Sequence, residues 1–169
     1  MYPVSALLGG AIDAASFEGG TAWNFYLSPR DAHHIFSPRE GTLRGLRYIR
    51  GRLYPVNNWA VANIPGLFIE NERVVCFLDT PDGPLAVVMV GATNVGSISL
   101  AALDIGLIRE RAPQRVELEV PVARGAKLGT FHLGSTVIVL SARSFLDQLV
   151  IDQPESRVLF GQRLVSGNV

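Results

Sequence analysis

The chain has 169 residues, 48% of them apolar and 18% charged, with 15 basic side chains against 15 acidic ones and a single cysteine. That is one domain's worth of chain, long enough to bury a core without covalent staples, and too apolar for a disordered tail. The balanced charge leaves no bulk field to hold nucleic acid, and Cys76 alone excludes an internal disulfide framework or a Cys-x-x-Cys metal clip.

In chain order, Ser5 to Ala15 reads as one or two helical turns broken at Gly9-Gly10. Trp23 to Leu27 reads as a strand stopped by Ser28-Pro29-Arg30, and Thr42 to Ile49 as another. Arg73 to Leu78 and Leu85 to Val90 are β-rich runs joined through Pro81-Asp82-Gly83, a hairpin signal. Leu103 to Gln114, with Arg109-Glu110-Arg111 before Ala112-Pro113, reads as a surface connection. Val116 to Val122 and Ser135 to Ser141 are further strands, and Ser144 to Ile151 a short helix or strand. The expected fold is mainly β (α+β with little helix), a single compact barrel- or sandwich-like domain over 1–169.

No apolar run approaches a membrane-spanning helix, and Met1 to Gly10 lacks the basic region of a signal peptide. The expected location is the cytoplasm, with peripheral contact at a membrane surface permitted by the apolar excess. Histidines and carboxylates show no metal-ligand spacing, so no metal is expected.

The informative stretch runs Arg124-Gly125-Ala126-Lys127-Leu128-Gly129-Thr130-Phe131-His132-Leu133-Gly134-Ser135-Thr136-Val137-Ile138. A Gly-Ser-Thr tripeptide alone means little. Its setting says more: Lys-x-Gly-x-Phe precedes it and an apolar strand follows. Upstream lie Leu27-Ser28-Pro29-Arg30-Asp31-Ala32-His33, then Gly51-Arg52-Leu53-Tyr54-Pro55-Val56-Asn57. Asn71-Glu72-Arg73 and Val90-Gly91-Ala92-Thr93-Asn94-Val95-Gly96-Ser97-Ile98 come next. Together, and in this order, these blocks resemble the phosphatidylserine decarboxylases, a pyruvoyl-dependent family.

The resemblance implies a carboxy-lyase that cuts itself between Gly134 and Ser135, giving a larger chain, 1–134, and a smaller one, 135–169, that stay associated. Ser135 is the implied precursor of a covalent pyruvoyl group. The pyruvoyl ketone takes the amine of an aminophospholipid headgroup as a Schiff base and accepts the electrons left by departing CO₂. Phosphatidylserine would so become phosphatidylethanolamine. His33, by itself a loop histidine, is the implied second catalytic residue, imidazole being the side chain suited to proton transfer near neutral pH. Self-association into a homo-oligomer is left open by the sequence.

Two departures mark this sequence. The family pattern Asp-x-His-x-x-His ends in the base for serine attack; here Asp31-Ala32-His33-His34-Ile35-Phe36 ends in a side chain that takes no proton. The Pro-Ala-Asp-Gly run whose aspartate orients that base is not among these residues. The alternative is therefore an unprocessed, catalytically silent homologue or fragment serving as a lipid-binding or interaction module. If residues 34–36 are extended, His34 shares a face with Phe36, about 7 Å away, too far for simple replacement.

Weaker features complete the reading. Arg44, Arg47, Arg50 and Arg52 form a basic cluster able to meet lipid phosphates, or a solvated face with ion pairs. Cys76 reads as buried packing, and Trp23, Phe25, Trp59, Phe68 and Phe131 as core. Trp59 to Val61 is alternatively a membrane-touching loop.

Overall fold

A computed structural model describes residues 3–93, 98–132, 135–142 and 157–164. Among these described residues, nine strands form two antiparallel sheets. The larger sheet takes β1 (Thr21–Leu27), β3 (Gly41–Ile49), β4 (Arg73–Thr80), β5 (Gly83–Val90), β7 (Val116–Val122) and β9 (Ser135–Ser141) in the order β1-β9-β5-β4-β3-β7. The smaller takes β2 (His34–Phe36), β6 (Ile98–Leu100) and β8 (Lys127–Phe131) in the order β2-β8-β6.

The central strands β4, β5 and β9 are apolar on both faces because both faces are covered. Val74, Cys76, Leu78, Leu85, Val87, Met89 and Val137 join Ile35, Ile98, Leu128 and Phe131 in a core between the two sheets. The alternate residues Val75, Phe77, Ala86, Val88, Val90, Ile138 and Leu140 pack under short helices on the other side. Those helices are α1 (Val4–Leu8), α2 (Ala11–Ala14), α3 (Asn58–Asn63) and α4 (Leu67–Glu70), with a 3-10 turn over Ala15–Phe17. The period-two alternation of a strand sorts the two sets. Close approach of the sheets needs Gly129: a Cβ there would stand 2.9 Å from Met89 Cε.

The mainly-β expectation holds, in its sandwich form: among the described residues the sheets are open and no barrel closes. The β4–β5 hairpin turns at Gly83, whose φ of 120° suits glycine. β7 and β9 have the expected bounds. The Gly9-Gly10 break separates α1 from α2, with Gly9 in the left-handed region at φ 72°. Leu103 to Gln114 departs from its reading as a bare connection. It contains α5 (Ile105–Glu110), capped by the Asp104 side chain accepting from Gly106 N–H at 2.7 Å. One apolar residue decides this, since Ile108 is fully buried against the inter-sheet core. The expected element at Ser144 to Ile151 lies outside the described residues.

Two of the sequence blocks have structural roles. Asn71, fully buried, accepts from Tyr54 N–H at 3.0 Å and donates to the carbonyls of Tyr54 and Gly91 at 2.9 Å each. Arg73, also buried, donates to the carbonyls of Ala6, Leu7, Ile69 and Asn71, tying α1 and α4 to β4.

Candidate active site

Two places where the chain crosses between the sheets define the site. β1 pairs with β9 in the large sheet, and β2 pairs with β8 in the small one. Residues 28–33 lead from β1 to β2. At the matching end, β8 stops at Phe131 and β9 starts at Ser135, opposite Leu27. The bond of interest therefore falls between a residue anchored in one sheet and a residue anchored in the other. Gly134 itself, with Leu133, lies outside the described residues, as do Asn94 to Ser97 of the Val-Gly-Ala block.

Ser135 is fully buried. By strand alternation its side chain shares the face of Val137, toward the inter-sheet core. Its Oγ has no hydrogen-bond partner among the described residues. A buried hydroxyl left so costs about 1–3 kcal/mol; Thr136 Oγ1 and Ser141 Oγ on the same strand are likewise without a partner among the described residues.

His33 stands at the other crossing. Its carbonyl accepts from Phe131 N–H at 2.9 Å, which extends the β2–β8 pairing by one residue toward Ser135. Its Nδ1 lies 2.6 Å from the carbonyl oxygen of Asp31. Its Nε2 is shielded from solvent and has no partner among the described residues. The preceding loop is closed by Asp31, whose N–H donates to Ser28 O at 2.9 Å and whose Oδ2 accepts from Ser28 N–H at 2.8 Å. Hydrogen bonding from the Ser28 side chain, then from its N–H, holds the Asp31 carboxyl below the usual carboxylate range.

Phe36 is placed away from this pair. It lies opposite Lys127, after a register shift between Ile35 and Phe36, and about 10 Å along the strand from His33. Its ring meets the edges of His34 and Phe160, with centroids 6.4 and 5.1 Å away. His34 and Phe36 do share a face, as extended backbone requires. His34 is exposed and its Nδ1 lies 3.1 Å from Thr130 Oγ1. No imidazole among the described residues hydrogen-bonds Ser135 Oγ.

The remaining candidates sort by their partners. Arg44 pairs with Asp79 at 2.8 Å and Glu119 at 3.0 Å, and Arg47 with Asp13 at 2.6 Å. Half of the basic cluster is thus spent within the protein, while Arg50 and Arg52 are exposed. Cys76 is fully buried, and burial pushes its thiol up to about 12. Phe68 and Phe131 are core, Trp23 and Phe25 half-buried on edge strand β1. Trp59 departs from the core expectation: α3 leaves it 68% exposed, because Ala60 is the residue of that turn facing the sheet. Among the described residues, no helix is long and apolar enough to cross a membrane.

The turn from Ser28 to Asp31 and the contact of Phe36 with Phe160 escaped the sequence reading. Asp three residues after Ser is a readable turn signal; the Phe160 contact joins residues too distant in sequence for any local signal.

Comparison with known proteins adds the decisive context. The family model for phosphatidylserine decarboxylase matches residues 1–166. A phosphatidylserine decarboxylase proenzyme of Azotobacter vinelandii is 44% identical over 146 residues, covering 82% of this chain and 51% of the relative. One from Pseudomonas paraeruginosa is 47% identical over 146 residues, covering 82% and 50%. One from Pseudomonas fluorescens is 42% identical over 174 residues, covering 99% and 61%. The chain belongs to the phosphatidylserine decarboxylase family. It spans about half the length of most of these relatives.

Proposed function

We propose that this chain is the pyruvoyl-bearing part of a phosphatidylserine decarboxylase, with Ser135 as precursor of the prosthetic group and His33 as the proton-transferring residue. The observation that carries the reading is the state of Ser135. It follows glycine at the mouth of β9, is buried, and keeps its hydroxyl free of any partner among the described residues. A hydroxyl that must attack a neighbouring carbonyl is better left without a competing hydrogen bond. The fit to a pyruvoyl group is good on the same ground, since the group is apolar at its methyl end and replaces a hydroxyl that has no partner to lose.

The chain's own residues have the following tasks. Ser135 Oγ bonds to the carbonyl carbon of Gly134 as the 134–135 C–N bond breaks, turning amide into ester. Loss of the Ser135 Cα proton and rupture of its Cβ–O bond leave the Gly134 carboxylate and an enamine. The enamine takes up water and releases ammonia. The pyruvoyl ketone so formed supplies an electron sink for decarboxylation of an amino acid headgroup. His33, held at the neighbouring crossing, takes a proton on Nε2 and returns one to the carbon that lost CO₂. The β1–β9 and β5–β9 pairings keep the shorter chain in place after the cut.

A second reading, a silent homologue that is never cut and acts as a binding module, is favoured by Phe36. A side chain without a proton acceptor stands where the family pattern has the base, and losing a general base costs about 10²–10⁴ in rate. The test is turnover. Vesicles containing phosphatidylserine labelled at the serine carboxyl should release labelled CO₂ with the wild-type chain and none with Ser135→Ala. No release from well-folded wild-type chain favours the second reading.

A further inference from the structure

The environment of His33 contains more than a proton carrier needs, and the excess converges on Asp31. A backbone carbonyl only accepts hydrogen bonds. The 2.6 Å contact between Asp31 O and His33 Nδ1 therefore requires the proton on Nδ1. Free neutral imidazole side chains favour the opposite tautomer, with the proton on Nε2. The contact is not a free accident of the chain. Asp31 O points at the ring because the turn beneath it is closed twice, by Asp31 N–H to Ser28 O and by Ser28 N–H to Asp31 Oδ2. The second bond is made by a side chain, so it is the part that substitution removes. From the other side, Phe131 N–H pins the His33 carbonyl, leaving the ring little freedom.

We propose that Asp31 is a positioning residue. Its carboxylate closes the Ser28–Asp31 turn and so holds the Asp31 carbonyl against His33 Nδ1, which keeps the lone pair of the neutral ring on the buried Nε2. The inference rests on the proposed reading of the site and deepens it. With a bare Nε2, His33 meets the substrate as a proton acceptor; in the other tautomer it would meet it as a donor and have nothing to accept with. The carboxylate never touches the ring. Its effect passes through its own backbone oxygen, the kind of outer contact that orients histidines elsewhere.

The test reads the tautomer directly. Full-length chain carrying ¹³C,¹⁵N-labelled histidine is examined by NMR in alkaline buffer, where the histidine rings are neutral, with His33, His34 and His132 assigned by single substitutions to glutamine. His33 should show a protonated Nδ1 and a bare Nε2. Asp31→Ala should move it toward the Nε2-protonated form, whereas Asp31→Asn, which keeps an oxygen for Ser28 N–H, should leave it unchanged. In turnover, Asp31→Ala should lower kcat about tenfold, the low end for outer partners of functional histidines, with KM changed less than about twofold. An Nε2-protonated His33 in the unsubstituted chain overturns the proposal, as does an Asp31→Ala spectrum identical to wild type. Should Asp31→Ala fail to fold, the unsubstituted and Asp31→Asn spectra still decide. The expected tautomer in a chain that releases no CO₂ contradicts the proposed function and not this inference; the wrong tautomer in an active chain does the reverse.

Discussion

Replacing Ser135 by alanine should stabilise the uncut protein while abolishing its cleavage. The usual expectation for a buried serine is the opposite, so the sign is informative. Ser135 is fully buried and its Oγ has no partner among the described residues. Removing an unsatisfied buried hydroxyl recovers about 1–3 kcal/mol. The void left by one oxygen, about 10–15 Å³ at 24 cal/mol per Å³, returns about 0.3 kcal/mol of that gain. A net gain of about 1 kcal/mol or more follows, worth about 2–4 °C in Tm for a chain of this size. The assay is urea unfolding of Ser135→Ala and of wild-type precursor isolated before it cuts, its full length checked by mass, with equal m-values as the check on two-state behaviour. Ser37 supplies the contrast. It is equally hidden, but its hydroxyl donates to Arg39 O at 2.7 Å, so Ser37→Ala should destabilise by about 1 kcal/mol or more. If both substitutions destabilise alike, the Ser135 hydroxyl is satisfied in solution and the reasoning fails.

Two further expectations follow from buried polar groups. Asn71→Ala should cost about 2–4 kcal/mol, because it strands Tyr54 N–H and two carbonyls that the amide serves; a loss below about 1 kcal/mol in urea unfolding would show those groups finding other partners. Tyr48 is pushed up to about 12, chiefly by burial and then by its hydrogen bond with Glu72. Its folded pKa lies above the unfolded value, so its stabilisation is intact below about pH 10 and is lost as pH rises toward 12. Ultraviolet titration should show one tyrosine ionising late, in step with alkaline unfolding, and Tyr48→Phe should remove that late step.

The long apolar strands were legible because each carries its own signal. β4 and β5 flank an Asp-Gly turn, and β7 and β9 are bounded by glycine, proline and polar residues. The small sheet was not. β2 and β6 have three residues each, and β8 carries Gly129 at its centre, so their pairing is set by contact with Met89 and Phe131 rather than by local pattern. α5 hid behind Arg109-Glu110-Arg111, since a single buried Ile108 is too little periodicity to read. The proposed site residues, Ser135 and His33, come from the family resemblance. Their placement at two neighbouring crossings between sheets needs the register of β1 with β9 and β2 with β8, which no linear motif encodes. The arginine cluster fits the ion-paired reading for Arg44 and Arg47, but its partners were not legible for a related reason: Asp13, Asp79 and Glu119 come from distant parts of the chain.

The activity proposed for this chain needs the bond between Gly134 and Ser135 to break, and the mass of the protein reads that bond. Freshly purified, folded chain is predicted to resolve under denaturing conditions into fragments 1–134 and 135–169. The shorter should be lighter by one ammonia than the product of simple hydrolysis, and its N-terminus should resist Edman sequencing. A single full-length mass, or a short fragment beginning with an intact serine, would contradict the account.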